Sequence, residues 1–200
     1  MTTTSPIRVG LIGLSSNSVS SWAESAHLPY LISSPRYTIV ALSNSSVDSA
    51  KSAVAHYKLP PTTRTYGSPT DLAGDPEVDL VVISVAVGYH YQLAKPVLQA
   101  GKDVYVEWPL AANVKQAKEL AELAKEKGVR VIVGAQTRAS PAVVKLRELL
   151  RDTSTIGKIT SSSVVASLGA PAKLWPTSGA YALDLRSGGN TLTIRFGHCT

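Results

Sequence analysis

Apolar residues in this chain form short solid runs. Between the runs they recur every three or four positions. The runs are Ile7 to Ile12, Tyr37 to Leu42, Asp79 to Val85, Asp103 to Glu107 and Val129 to Val133. Their continuous, β-branched character is what a strand covered on both faces requires. The intervening stretches predict helices over Trp22 to Ser33, Asp48 to Tyr57, His90 to Ala100, Asn113 to Lys127 and Pro141 to Arg151. Pro29 predicts a break or bend in the first of these, because an interior proline removes a donor and crowds the preceding turn. Gly101 and Gly128 stand where helices commonly stop in a left-handed conformation. Val114, Ala117, Ala121 and Ala124 are the expected buried face of the fifth helix. Thr63 to Gly67 reads as a short extended piece and Pro69 to Ala73 as a helical turn.

Alternation of strand and helix with short connections forces parallel pairing through right-handed crossovers. The expected fold is α/β, a doubly wound parallel sheet over residues 1–150. A partial α+β second domain should begin in residues 151–200. There Ile159 to Ser167 reads as extended and Ala170 to Tyr181 as a long loop. Gly188-Gly189-Asn190 leads into Thr191 to Phe196, so this part should supply one or two strands, too few to close a core of its own.

Charge narrows the partners. A formal net charge of +6 comes from lysines and arginines scattered along the chain without a long run. That pattern suits an anionic small ligand better than nucleic acid. The single cysteine, Cys199, leaves no internal disulfide and no cysteine-rich metal site, which points to a reducing, cytoplasmic setting. The opening Met1 to Pro6 has no apolar run of the secretory kind, and no apolar stretch is long enough to span a membrane. The motifs of zinc proteases, nucleophile elbows and phosphate-binding lysine loops are absent.

Ligands of doubly wound sheets bind beyond the carboxyl ends of the strands. The first strand ends in Gly13-Leu14-Ser15-Ser16-Asn17. Ser21 and Glu24 then fit a capping box at the start of a helix. Strand, tight loop and helix start present free backbone N–H groups and a positive helix end, the environment of a dinucleotide's pyrophosphate. The glycine fingerprint is partial, since Ser15 takes the place of the second glycine. Ser43 ends the second strand where an acidic residue would favour NAD. Its absence leans toward NADP or no preference. The other strand ends offer Val85 and His90, Glu107 and Trp108, and Arg138. Each also has a structural reading: helix capping for His90, a surface ion pair for Glu107 or Arg138, and packing for Trp108.

The run from Gly101 to Ala111 resembles the A-G-K-x-V-x-x-E-K-P-x-A motif of the Gfo/Idh/MocA oxidoreductases. His27-Leu28-Pro29 is similar to that family's H-x-P. His90, the Gln136-x-Arg138 stretch with Pro141, and Gly188-Gly189 with His198 also match in order and spacing. The resemblance implies NAD or NADP bound to the first domain and a sugar, polyol or similar hydroxyl or carbonyl compound as substrate. It implies His198 and Glu107 as catalytic candidates. The cofactor-binding candidates are Gly13, Leu14, Ser15, Ser16, Asn17, Ser43, Val85, His90, Glu107, Trp108 and Arg138; no metal is expected. Two departures bear on chemistry. Trp108 stands where the family has lysine, and Ile194 where it has aspartate. An indole donates one hydrogen bond and exchanges no proton near neutral pH. Phe196-Gly197-His198 and Glu107-Trp108 are similar to the branch holding the fungal galactose-pathway repressor. That likeness implies an alternative, a non-catalytic NAD(P)-binding regulator that meets an acidic protein segment, cytoplasmic or nuclear. A truncated, inactive paralogue is a third expectation. A homo-oligomer would require the complete second domain.

Overall fold

In the computed structural model, residues 5–17, 21–163, 165 and 181–199 are described. Six strands form one sheet: β1 (Ile7–Ile12), β2 (Tyr37–Ser43), β3 (Arg64–Tyr66), β4 (Leu80–Ile83), β5 (Asp103–Glu107) and β6 (Val131–Gly134). Their order is β3-β2-β1-β4-β5-β6, and every pairing is parallel. The chain winds outward from β1 to β3, then returns to lay β4 on the other side of β1. The crevice of such a sheet opens where this reversal occurs, between the carboxyl ends of β1 and β4.

Alternate side chains of the strands feed two cores. Val9, Leu11, Ile39, Leu42 and Val82 pack under α1 (Leu28–Ser33) and α2 (Val47–His56). Ile12, Ala41, Val81, Ile83, Val104 and Val106 pack under α3 (Pro69–Ala73), α4 (His90–Gln99) and α5 (Val114–Lys127). The period-two division covers both faces of β1 and β4, which is why they are apolar throughout, whereas in β2 the register shift at Val40 puts Ile39 and Leu42 in the same core. On α5 the buried residues are Leu120 and Ala124, while Val114 and Ala121 are exposed. The apolar stripe is therefore rotated from the expected one.

Pro29 acts as its chemistry demands. It has no N–H to give the Ser25 carbonyl, and the preceding turn widens into a π-helical segment, Ala23–His27. The Leu28 amide reaches back to the Ala23 carbonyl before α1 continues. The first helix is thus remodelled rather than ended.

Charged pairs collect at the amino ends of the strands, away from the crevice. Arg8 meets Asp79 at 2.7 Å and Glu77 at 2.8 Å, and Arg130 pairs with Asp103. Lys102 donates to the Asp75 and Val78 carbonyls, both at 2.7 Å.

The remaining helices are α6 (Pro141–Arg151), α7 (Thr153–Ile156) and α8 (Thr191–Cys199). Here the structure corrects the expectation of a strand at Thr191 to Phe196, while the extended piece expected at Ile159 to Ser167 lies partly outside the described residues. Residues 191–199 are helical, and 159–163 have no regular structure. Asn190 caps α8 by accepting from the Thr193 amide at 3.1 Å. The cap and the packing described below override the β-branched Thr191, Thr193 and Ile194. The expected loop from Ala170 to Tyr181 lies almost wholly outside the described residues.

Candidate functional site

Gly13 leaves β1 with φ of +100°, a region that L side chains rarely adopt. A methyl there would stand 2.2 Å from the Ser84 carbonyl oxygen and 2.6 Å from Val85 Cγ1. Only glycine lets the β1 loop lie this close to the end of β4. The loop is held from behind. Asn44 donates to the Leu14 carbonyl at 2.7 Å, and the Tyr57 hydroxyl to the Ser15 carbonyl at 3.1 Å. Leu14 points into the core, whereas Ser15 and Ser16 are half-buried and Asn17 is exposed. Two carbonyls are thereby satisfied, while the Leu14, Ser15 and Ser16 amides have no acceptor among the described residues. Free amides beside a glycine that permits close approach are what a pyrophosphate needs, so these residues fit a dinucleotide. Ser21 accepts from the Glu24 amide at 3.1 Å, the expected first half of a capping box.

Ser43 is buried at the end of β2, and its carbonyl accepts from the Gly13 amide at 3.3 Å.

His90 is fully buried. Its Nδ1 lies 2.8 Å from the Pro109 carbonyl oxygen and its Nε2 3.0 Å from that of Val85. The ring therefore ties the loop after β4 to the loop after β5 and does not cap α4. Burial pushes its pKa below the ordinary histidine value, against the opposing pull of the two carbonyls and Glu107. Its influence on a ligand runs through the loops it joins.

Glu107 ends β5 beside His27, whose Nε2 is in hydrogen-bond contact with Glu107 Oε1; both side chains are largely buried. The His27 and Tyr105 rings meet edge to face at 5.3 Å. Burial, and then Glu107, push the Tyr105 hydroxyl up to about 12, so it stays protonated. A methyl at Gly134 would lie 2.5 Å from the Tyr105 hydroxyl and 2.9 Å from Glu107 Oε2, which makes the start of the β6 loop a wall of this cluster.

Trp108, the next residue, is half-buried and faces α8. Its indole N–H donates to the Thr193 carbonyl at 3.0 Å. The segment leading into α8 is equally close to the strand ends. A Cβ at Gly188, whose φ is +70°, would lie 2.3 Å from Ala112 backbone, and one at Gly189 would lie 2.5 Å from Val87 Cγ2. These contacts lay α8 across the carboxyl ends of β5 and β6. Ile194 is half-buried on α8. His198, in its last turn, has a buried Nδ1 with no partner among the described residues. Arg138 lies exposed on the short 3-10 helix Gln136–Ala139, which touches α8.

The structure thus brings the candidates to one end of the sheet in two groups. Gly13 to Asn17, Ser43 and Val85 surround the β1/β4 crevice. Glu107, Trp108, Arg138 and His198 gather at β5, β6 and α8. Sequence reading missed Asn44, Tyr57 and Ser84, which act on or against the backbone of the Gly13 loop. No cluster of three or more metal-ligating side chains occurs among the described residues. Depressions of about 540 Å³ beside Lys115 and Glu119 and of about 450 Å³ beside Lys51 and Lys58 lie on other surfaces. None of the described helices is long and apolar enough to cross a membrane.

Comparison with known proteins agrees with this fold. The dehydrogenase aclE of Aspergillus oryzae is 39% identical over 195 residues, covering 96% of this chain and 52% of the relative. The galactose/lactose metabolism regulatory protein GAL80 of Saccharomyces cerevisiae is 30% identical, covering 96% of this chain and 45% of its own length. The solved structure of the transcriptional regulator Gal80p from Kluyveromyces lactis superposes with a TM-score of 0.79 at 31% identity, over 97% of this chain and 48% of that one. The chain spans about half the length of the curated relatives it matches. Residues 7–135 match the family described as an oxidoreductase family with an NAD-binding Rossmann fold, and the chain belongs to that Gfo/Idh/MocA family.

Proposed function

We propose that this chain is the dinucleotide-binding part of an NAD(P)-dependent oxidoreductase acting on a sugar, polyol or similar hydroxyl or carbonyl compound. The observation that carries this reading is the Gly13 loop, with its carbonyls bonded from behind and its amides left for an anion. Leu14, Ser15, Ser16 and Asn17 would hold the pyrophosphate, and Ser43 a ribose. Val85, Glu107, Trp108 and Arg138 would border the rest, with His90 fixing two of the loops. The nicotinamide would supply hydride chemistry. The protein's part is to orient the reactants and move a proton. Glu107 is already engaged by His27, and the indole N–H of Trp108 by Thr193. His198, whose buried Nδ1 has no partner among the described residues, is the group we assign to that proton.

Full-length protein mixed with NADPH or NADH and a panel of sugars, polyols and their oxidised forms tests the proposal through absorbance of the reduced cofactor. Turnover is expected, with His198→Gln lowering kcat roughly 10²- to 10⁴-fold. Cofactor binding without turnover on any compound would overturn the enzyme reading. It would favour a regulator that binds NAD(P) and an acidic protein segment, in the cytoplasm or nucleus. Specific observations support that second reading. Trp108 and Ile194 replace the lysine and aspartate expected of the enzymes, and the indole N–H is committed to a backbone carbonyl.

A further inference from the structure

Trp108 and Gly197 are 89 positions apart, yet they occupy one another's space. A Cβ at Gly197 would lie 2.2 Å from both Trp108 Cε2 and Nε1, and 2.4 Å from Cζ2. The indole is therefore pressed onto the bare backbone of α8, a fit that any side chain at 197 would obstruct. An independent polar contact fixes the ring's orientation. Its N–H meets the Thr193 carbonyl, one helical turn before Gly197. Gly197 has ordinary negative φ, so backbone conformation does not call for glycine there. The close approach of the ring does. Gly188 and Gly189 press the leading end of α8 against Ala112 and Val87 in the same manner.

We propose that Trp108 is a positioning residue that latches α8, and with it His198, against the carboxyl ends of β5 and β6 beside the dinucleotide crevice. The inference rests on the reading that this crevice binds NAD(P). A large apolar ring seated in a groove holds a helix by shape, where lysine in its place would hold its neighbours by charge. Trp108 and Gly197 are accordingly a matched pair. Ring without glycine clashes, and glycine without ring leaves a void.

Two readouts on the full chain test the latch: amide hydrogen exchange at 191–199, and the His198 Cε1–H proton resonance before and after saturation with NADPH or NADH. Protection of β1 and β4 amides verifies that each variant is folded. In the wild-type protein, cofactor shifts the His198 resonance. Trp108→Ala and Gly197→Ala are expected to speed exchange at 191–199 by about tenfold and to abolish most of the cofactor-induced shift. Trp108→Phe, which keeps a ring without the N–H, should restore part of both. Unchanged exchange in folded Trp108→Ala, or a His198 shift that survives it, would overturn the latch. If neither cofactor binds the wild-type protein, the crevice reading fails, and the exchange data alone then decide whether Trp108 holds α8.

Discussion

Asp75 illustrates how much of this protein is settled by single buried residues that no motif marks. Its carboxylate is almost fully buried, bonded by Arg64 Nε at 2.6 Å, the Tyr66 hydroxyl at 3.0 Å and the Glu77 amide at 2.9 Å. Loss of hydration raises its pKa; Arg64, the Glu77 amide and Tyr66 outweigh that and hold it below the ordinary value. A carboxylate depressed in the folded state stabilises it fully above its unfolded pKa of about 3.9. That contribution is lost as pH falls through the folded value. Asp75→Asn should therefore cost about 1–3 kcal/mol near neutrality. Urea unfolding at pH 7 and at pH 3 should show the gap from wild type shrinking in acid. A gap of the same size at both would contradict the account. At this scale the strand-end residues were legible: Gly13, Ser43 and Glu107 each end an apolar run. Asn44 and Tyr57 were not, because bonds from a side chain to a backbone carbonyl 30 or 42 positions away leave no local pattern.

Elements were legible where their pattern and their surroundings agree. The strands β1, β2 and β4 are apolar because both faces are covered, and β6 shares that composition although Ile132 is exposed on it. Helix α8 shows the opposite case. Thr191, Thr193 and Ile194 favour a strand locally, yet Asn190 caps a helix there and Trp108 packs upon it. Those partners lie on other segments and are invisible in a short window of sequence. Because the cap contributes to the outcome, Asn190→Ala should weaken α8 by about 1 kcal/mol. Faster amide exchange confined to 191–199 would register it. Exchange equal to wild type would mean that packing alone decides the helix. The π-helical turn at Ala23–His27 was half legible: Pro29 announced a disturbance, but whether the chain breaks or widens depends on the Leu28–Ala23 bond and on the burial of Leu28 and Leu31.

The whole molecule has an electrostatic and a topological polarity. The Arg8 and Arg130 ion pairs stand at the amino ends of the strands, while the carboxyl ends carry the His27–Glu107 pair, close-approach glycines, and amides and a His198 nitrogen without partners among the described residues. The strand order places the β1/β4 reversal on that second side. Fold class followed from the alternation of runs. The proton-handling half of the site did not, since its geometry depends on how residues 188–198 fold back over β5 and β6. The central claim is that the Gly13 loop binds a nicotinamide dinucleotide, and calorimetric titration with NADPH and NADH tests it most directly. Wild-type protein should bind at least one of them saturably. Gly13→Val, whose side chain would collide with Ser84 and Val85, should weaken that binding at least about tenfold, or ~1.4 kcal/mol, while the far-ultraviolet circular dichroism stays that of the folded protein. Absence of saturable binding of either dinucleotide to the wild-type protein, or equal binding by a folded Gly13→Val variant, would contradict the account.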